Sequence, residues 1–226
     1  MYRAKTAIAL NFSPILNMGA AVRDIGLPYL EFGEAKLEHT GRANETVTLY
    51  YSDRRYAIFY NWVQLQFSIG GGEDDLKQAN GPTKAFFEIW EAIKKLDGFS
   101  RLRETKVKTW LIAEETDGCP SSVDDFRRKF FVDNSLHLGG ELTDLAIVVE
   151  DKKGNRGRNI FFGPYNGPPD FEKHELEVFG DDKMFHGPER GVLFIVEFSQ
   201  DRRDFAFKDF SFLLDESTSL VRSCLR

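Results

Sequence analysis

Residues 46–69, TVTLYYSDRRYAIFYNWVQLQFSI, constrain the fold more than any other stretch, because their apolar residues recur with the two-residue period of a β-strand. Read in steps of two, Ala57, Phe59, Val63, Leu65, Phe67 and Ile69 fall on one side, which marks a core face. On the other side lie Tyr56, Ile58, Tyr60 and Trp62, then Gln64, Gln66 and Ser68. That side turns from aromatic to polar halfway along, as it would where a helix of the chain or a partner covers one end and water the other. The segment predicts a β-hairpin, and Tyr56, Tyr60 and Trp62 form a candidate interaction surface.

Further along, strand and helix signals come in groups. Gly70-Gly71-Gly72-Glu73-Asp74-Asp75 reads as a flexible acidic loop. A helix follows in which Phe86, Ile89, Trp90, Ile93 and Leu96 share one stripe, with Asn80 or Thr83 as cap beside Pro82 and Gly98 as the stop. Over 105–113, Val107, Thr109 and Leu111 alternate with Lys106, Lys108, Trp110 and Ile112, a strand with one wetter side. Cys119-Pro120-Ser121-Ser122 then leads into a short helix over 123–131, with Ser121 or Ser122 as cap and Asp124 and Asp125 in the first turn, where the helix dipole favours anions. Segments 142–150 and 159–162 pair around a tip at 151–158, and a Gly/Pro-rich loop leads to a strand over 174–179. Residues 191–198, GVLFIVEF, are apolar on both sides, as a central strand requires. In a C-terminal helix, Phe207, Phe210, Leu214, Ser217, Val221 and Cys224 or Leu225 share a stripe.

Strands that come in groups, rather than singly between helices, predict an α+β fold: a mainly antiparallel sheet covered by two longer helices. Residues 1–226 make a single α+β domain in this reading, with two structurally similar halves, about 1–117 and 118–226, as its open internal alternative. One continuous sheet and two small packed sheets fit the pattern equally well. The order YSDRRYAIFYNWVQLQFS, AFFEIWEAIKKL, KVKTWLIA and GVLFIVEFS before a terminal helix resembles a sporadically distributed family of uncharacterised prokaryotic proteins over most of the chain. That family's usual N-terminal strand signature is not evident in residues 6–14. The resemblance is one of layout; it implies a bacterial or mobile-element accessory protein and brings no activity with it.

Composition removes several function classes. A chain of 226 residues, 42% hydrophobic and 29% charged, can bury a core without disulfides or a structural metal. Its net charge of -6 argues against general binding to nucleic acid or an anionic membrane unless cations gather in a local patch. Cys119 and Cys224 fit neither a disulfide framework nor a CxxC site, so the expected compartment is a reducing cytoplasm. The opening MYRAKTAIALNFSPIL is broken by Asn11, Ser13 and Pro14 and is not read as a signal peptide. Nowhere do enough apolar residues run together to span a bilayer, so no membrane is expected among the partners. The 21 Phe residues, many in doublets, predict a core of large plates with apolar surface to spare.

Chemistry-bearing clusters are few. The triple glycine lies between strand and helix, as phosphate-cradling loops do, but it lacks the Lys-Ser/Thr of a Walker loop and is followed by three acids; it reads as a connector. Lys152, Lys153, Arg156 and Arg158 crowd four cations into one tip with glycines between them, which suits anion or nucleic-acid contact; a solvated tip is the alternative. Glu172, His174, Asp181, Asp182 and His186, with Glu175, gather metal-ligand types, although HExxH, HxH and DxD spacings are missing. His39 and His137 are isolated, there is no GxSxG elbow, and Cys119 has no identifiable catalytic partners. The function expected from these residues is a non-enzymatic interaction or assembly subunit, whose partner is another protein or a second copy and which needs no cofactor. Two alternatives stand beside it. One is a divalent-metal-dependent hydrolase or nuclease built on Glu172, His174, Asp181, Asp182 or His186; the other is nucleic-acid binding through the basic tip alone.

Overall fold

The computed structural model describes residues 1–226 other than 33, 43, 52–54, 72, 73, 79, 80, 115–118, 121, 132–143, 168, 169, 171, 172, 175, 177–186 and 226. The elements are β1 (Tyr2–Phe12), α1 (Met18–Gly26), β2 (Glu34–Glu38), β3 (Thr46–Tyr51), β4 (Tyr56–Tyr60), β5 (Gln64–Gly70), α2 (Thr83–Lys94), β6 (Leu102–Ala113), α3 (Val123–Phe130), β7 (Ile147–Lys153), β8 (Arg156–Tyr165), β9 (Gly191–Gln200) and α4 (Phe207–Leu225). All nine strands join one sheet in the order β2-β3-β4-β5-β1-β6-β9-β8-β7. Every neighbouring pair is antiparallel, so the fold is α+β and the sheet is continuous. Among the described residues no helix is long and apolar enough to cross a membrane.

The central strand, β1, stands where no strand was expected. Ile8 pairs with Phe67 of β5 on one side and Val107 of β6 on the other. Thr6, Ile8, Leu10 and Phe12 are buried on one face of the strand, while Ala7, Ala9 and Asn11 are half-buried on the other. Two small alanines blunt the alternation, and Arg3 and Lys5 look like the basic start of a leader, so the strand signal is weak. In the fold Lys5 is instead buried, its ammonium 5.0 Å from the centre of the Trp110 ring.

One large cluster fills the space between sheet and helices. It takes Met18 and Val22 from α1, Phe86, Ile89, Trp90 and Ile93 from α2, Phe126 from α3, and Phe210, Leu213, Leu214 and Val221 from α4. Among the described residues four helices thus contribute where two longer ones were expected to cover the sheet: α1 and the short α3 add Met18, Val22 and Phe126 to the same core. Ser122 caps α3 by accepting from the backbone N–H of Asp125, whereas α2 has no side-chain cap, and its first residue, Thr83, is buried with its hydroxyl unpartnered among the described residues. The opposite sheet face carries a smaller cluster of Ala4, Trp110, Ile112, Tyr165, Leu176 and Leu193. There the Trp110 indole N–H donates to the His174 carbonyl at 2.8 Å. The strand expected over 174–179 is contradicted at its start, since the His174 N–H donates to Asp170 O in a helical turn; 177–179 lie outside the described residues.

The aromatic band requires a correction. Tyr56 and Tyr60 are 4% and 0% exposed, inside the main core, and Trp62 packs partly buried against it. Tyr60 lies opposite Leu65, and the Asn61 side-chain oxygen accepts from the N–H groups of Val63 and Gln64, making a tight tip of even length. An even-length tip joins even positions of β4 to odd positions of β5, so the faces swap at the turn. The core face is Tyr56, Ile58 and Tyr60 with Leu65, Phe67 and Ile69; Ala57 and Phe59 share the other face with the glutamines. The Tyr60 hydroxyl donates to Val22 O at 2.9 Å, and the Tyr56 ring stacks on Tyr51 at 4.3 Å. The chain itself covers Tyr56 and Tyr60.

A Cβ at Gly26 would run into the Tyr60 hydroxyl. Gly26→Ala is therefore expected to lower stability by about 1–3 kcal/mol. Tyr60→Phe alone should cost about 1 kcal/mol, the value of a lost hydrogen bond, but should stabilise the Gly26→Ala protein; urea titration of the four proteins checks this change of sign. Ending the chain at Gln200 removes Phe205, Phe210, Leu213, Leu214 and Val221, all buried. At about 1.5–3 kcal/mol each against a total of about 5–15, that loss should abolish the cooperative thermal transition, whereas a chain ending at Ser223 should keep it.

Candidate functional site

The sheet has two edges of different construction. β2 reads Glu34-Ala35-Lys36-Leu37-Glu38, exposed along its whole length, with the Lys36 ammonium 2.8 Å from the Glu38 carboxylate. Charges spaced like this hinder the addition of another strand. β7 begins instead with Ile147-Val148-Val149, and Val148 and Val149 are 58% and 45% exposed. Successive residues of a strand face opposite ways, so the two valines expose apolar surface on both faces. Among the described residues β7 pairs with β8 alone.

The other half of β7 belongs to a charged hairpin. The expected tip at 151–158 is in fact almost all strand: Asp151 pairs with Arg158 and Lys153 with Arg156, which leaves Gly154-Asn155 as the turn. Gly154 takes a φ of 63°, a conformation that costs a side-chain-bearing residue and suits the first central position of a two-residue hairpin. The Asn155 side-chain amide donates to Asp201 O at 2.7 Å and ties the turn to the chain leaving β9.

The structure does bring the four predicted cations together, but it divides them. Arg156 lies 4.6 Å from the centre of the Phe198 ring and is ion-paired to Glu216 of α4. Arg158 is ion-paired to Asp151 across the β7–β8 ladder. Lys152 and Lys153 are exposed and form no ion pair among the described residues. With Asp151 and Glu216 these four residues line a cleft of about 590 Å³ between the hairpin and α4. The two carboxylates were not foreseen: Glu216 lies 60 positions from Arg156, a distance no local pattern reports.

The remaining candidates give less. Of the metal-ligand types, His174 is described; Glu172, Asp181, Asp182 and His186 lie outside the described residues. His174 sits 5.2 Å from the Phe161 ring, and burial, helped by the Lys173 charge, pushes its pKa below the ordinary histidine value, with Asp170 and Asp144 opposing. Among the described residues no three His, Cys, Asp or Glu side chains are gathered to hold a metal ion. Cys119 is buried, and burial pushes the Cys224 thiol upward against the pull of Arg158. A raised pKa works against a reactive thiolate at Cys224. The comparisons with known proteins add no relative: no family matches the chain, and none of the curated proteins matches it.

The depressed pKa of His174 makes stability depend on pH in a defined direction. The folded state takes up its proton later than the unfolded chain, so the contribution is complete above the unfolded value of about 6.5 and is lost as pH falls from there toward the lower folded value. Thermal unfolding at about pH 7.5 and about pH 5.5 should show a smaller loss of Tm for His174→Gln than for the wild type.

Proposed function

We propose that the protein is a non-enzymatic interaction module that receives an extended segment of a partner protein as a further strand on β7. The observation that carries this is the exposed apolar half of that edge, Val148 and Val149, on a sheet whose other edge carries a charge at every second residue. Strand addition supplies affinity from main-chain hydrogen bonds and specificity from alternate side chains, which needs no pocket and no catalytic residue. A second copy is the poorer occupant. Antiparallel self-pairing along the whole of β7 sets Glu150 against Glu150 or against Asp151, and like charges directly opposite destabilise a ladder. Lys152 and Lys153 at the end of the strand favour a partner segment that is apolar where it meets the valines and acidic beyond them. Cys119 and Cys224 are not joined in a disulfide, which suits a reducing cytoplasm as the setting.

The test places a photo-crosslinking residue at Val149 and, as control, at Leu37 of β2, and identifies the crosslinked peptides by mass spectrometry. One recurrent extended segment at Val149 is expected. A synthetic peptide of that segment should bind Val148→Lys at least about tenfold more weakly than wild type, and Leu37→Lys with unchanged affinity. Crosslinks through Leu37 only, or a strict monomer with no partner at Val149, would overturn the assignment.

A further inference from the structure

The cleft beside the edge has a chemistry of its own. Among the described residues four cations, Lys152, Lys153, Arg156 and Arg158, line it with two carboxylates, Asp151 and Glu216, so this lining is net positive on a chain of net charge -6. Both arginines are held in place: Arg156 between the Phe198 ring and Glu216, Arg158 by Asp151. Their side chains are 29% and 30% exposed, so they are partly withdrawn from water, where a bound anion is screened less than on an open surface. A guanidinium carries more N–H donors than one carboxylate can take up, so the acids that orient these arginines still leave donors for an anion. Lys152 and Lys153 add flexible charge without ion-pair partners among the described residues. Among the described residues no aromatic side chain lines the cleft, so recognition by them runs through charge rather than through stacking on a base. Its volume of about 590 Å³ falls in the usual range for small-molecule sites.

We propose that this cleft binds a phosphate group carried on a small molecule of nucleotide size. Phosphate fits better than a simple carboxylate because it carries up to two charges, which matches the net excess of cations, and because two arginine forks can each bind it through paired N–H donors. The cleft shares Lys152 and Lys153 with the end of β7, but Arg156, Arg158 and Glu216 take no part in strand addition, so Arg156→Gln separates the two readings.

The test is calorimetric titration at low salt with inorganic phosphate, a nucleoside triphosphate without metal, and a short single-stranded oligonucleotide. Saturable binding of the triphosphate is expected, weakened at least about tenfold by Lys153→Gln and by Arg156→Gln and unchanged by Lys36→Gln on the opposite edge. Because Arg156 packs on Phe198, its variant also tests the fold; Lys153 is exposed, so its variant keeps the test valid if Arg156→Gln unfolds. Competition by inorganic phosphate identifies the phosphate group alone as the ligand chemistry, and triphosphate binding without such competition identifies the nucleotide as its source. No binding of either, or binding unaffected by Lys153→Gln, would overturn the inference. So would binding of the oligonucleotide alone, which would mark an extended surface for nucleic acid.

Discussion

The fold depends on β1 finding partners on both sides. It is the first strand in the chain and the fifth in the sheet, and it joins the β2–β5 meander to the block formed by β6, β9, β8 and β7. Without it the two blocks of four strands share no ladder. Its contacts are also among the most distant in sequence, with residues 64–70 on one side and 102–113 on the other. Closing such long loops costs chain entropy before any ladder forms, so the pairing must be rewarded by burial. That reward is visible in Ile8, Leu10 and Phe12, each at most 2% exposed beneath the helices.

Centring the sheet on β1 fixes which strands become edges. β2 and β7 are left at the two ends, and only β2 has charge spread along its length. β7 would be a liability in a monomer, since exposed apolar edges recruit other chains. Its hairpin is nevertheless held firmly, by Asn155 to Asp201 at the turn and by Arg156 to Glu216 on the helix side. A rigid edge loses little entropy when a strand docks, and the same anchoring orders the arginines of the neighbouring cleft.

Much of this layout was legible in the sequence. The strong periodicities became elements close to where they were placed: α2 around Phe86, Ile89, Trp90 and Ile93, the apolar strand β9, and α4 with Phe210, Leu214 and Val221 buried. The misses have physical causes. β1 hid behind small alanines and basic residues, and the faces of β4 were inverted because an even-length tip changes parity without leaving any mark in composition. The basic residues of the tip were visible, but their carboxylate partners were not, because Glu216 comes from α4 and Asp151 becomes a partner only once the hairpin register is known. The apolar run Ile147-Val148-Val149 was visible as well; only the strand order shows that it lies on an edge.

Residue-resolved amide hydrogen exchange tests the central claim most directly, since it reads the middle and the end of the sheet in one measurement. A sheet centred on β1 and open at β7 predicts that β1 amides are among the slowest in the protein. Along β7, amides bonded to β8 should be protected and the alternate ones should exchange rapidly. Uniform protection along β7 in the isolated protein would mean that the edge is already occupied, and fast exchange throughout β1 would contradict its place at the centre.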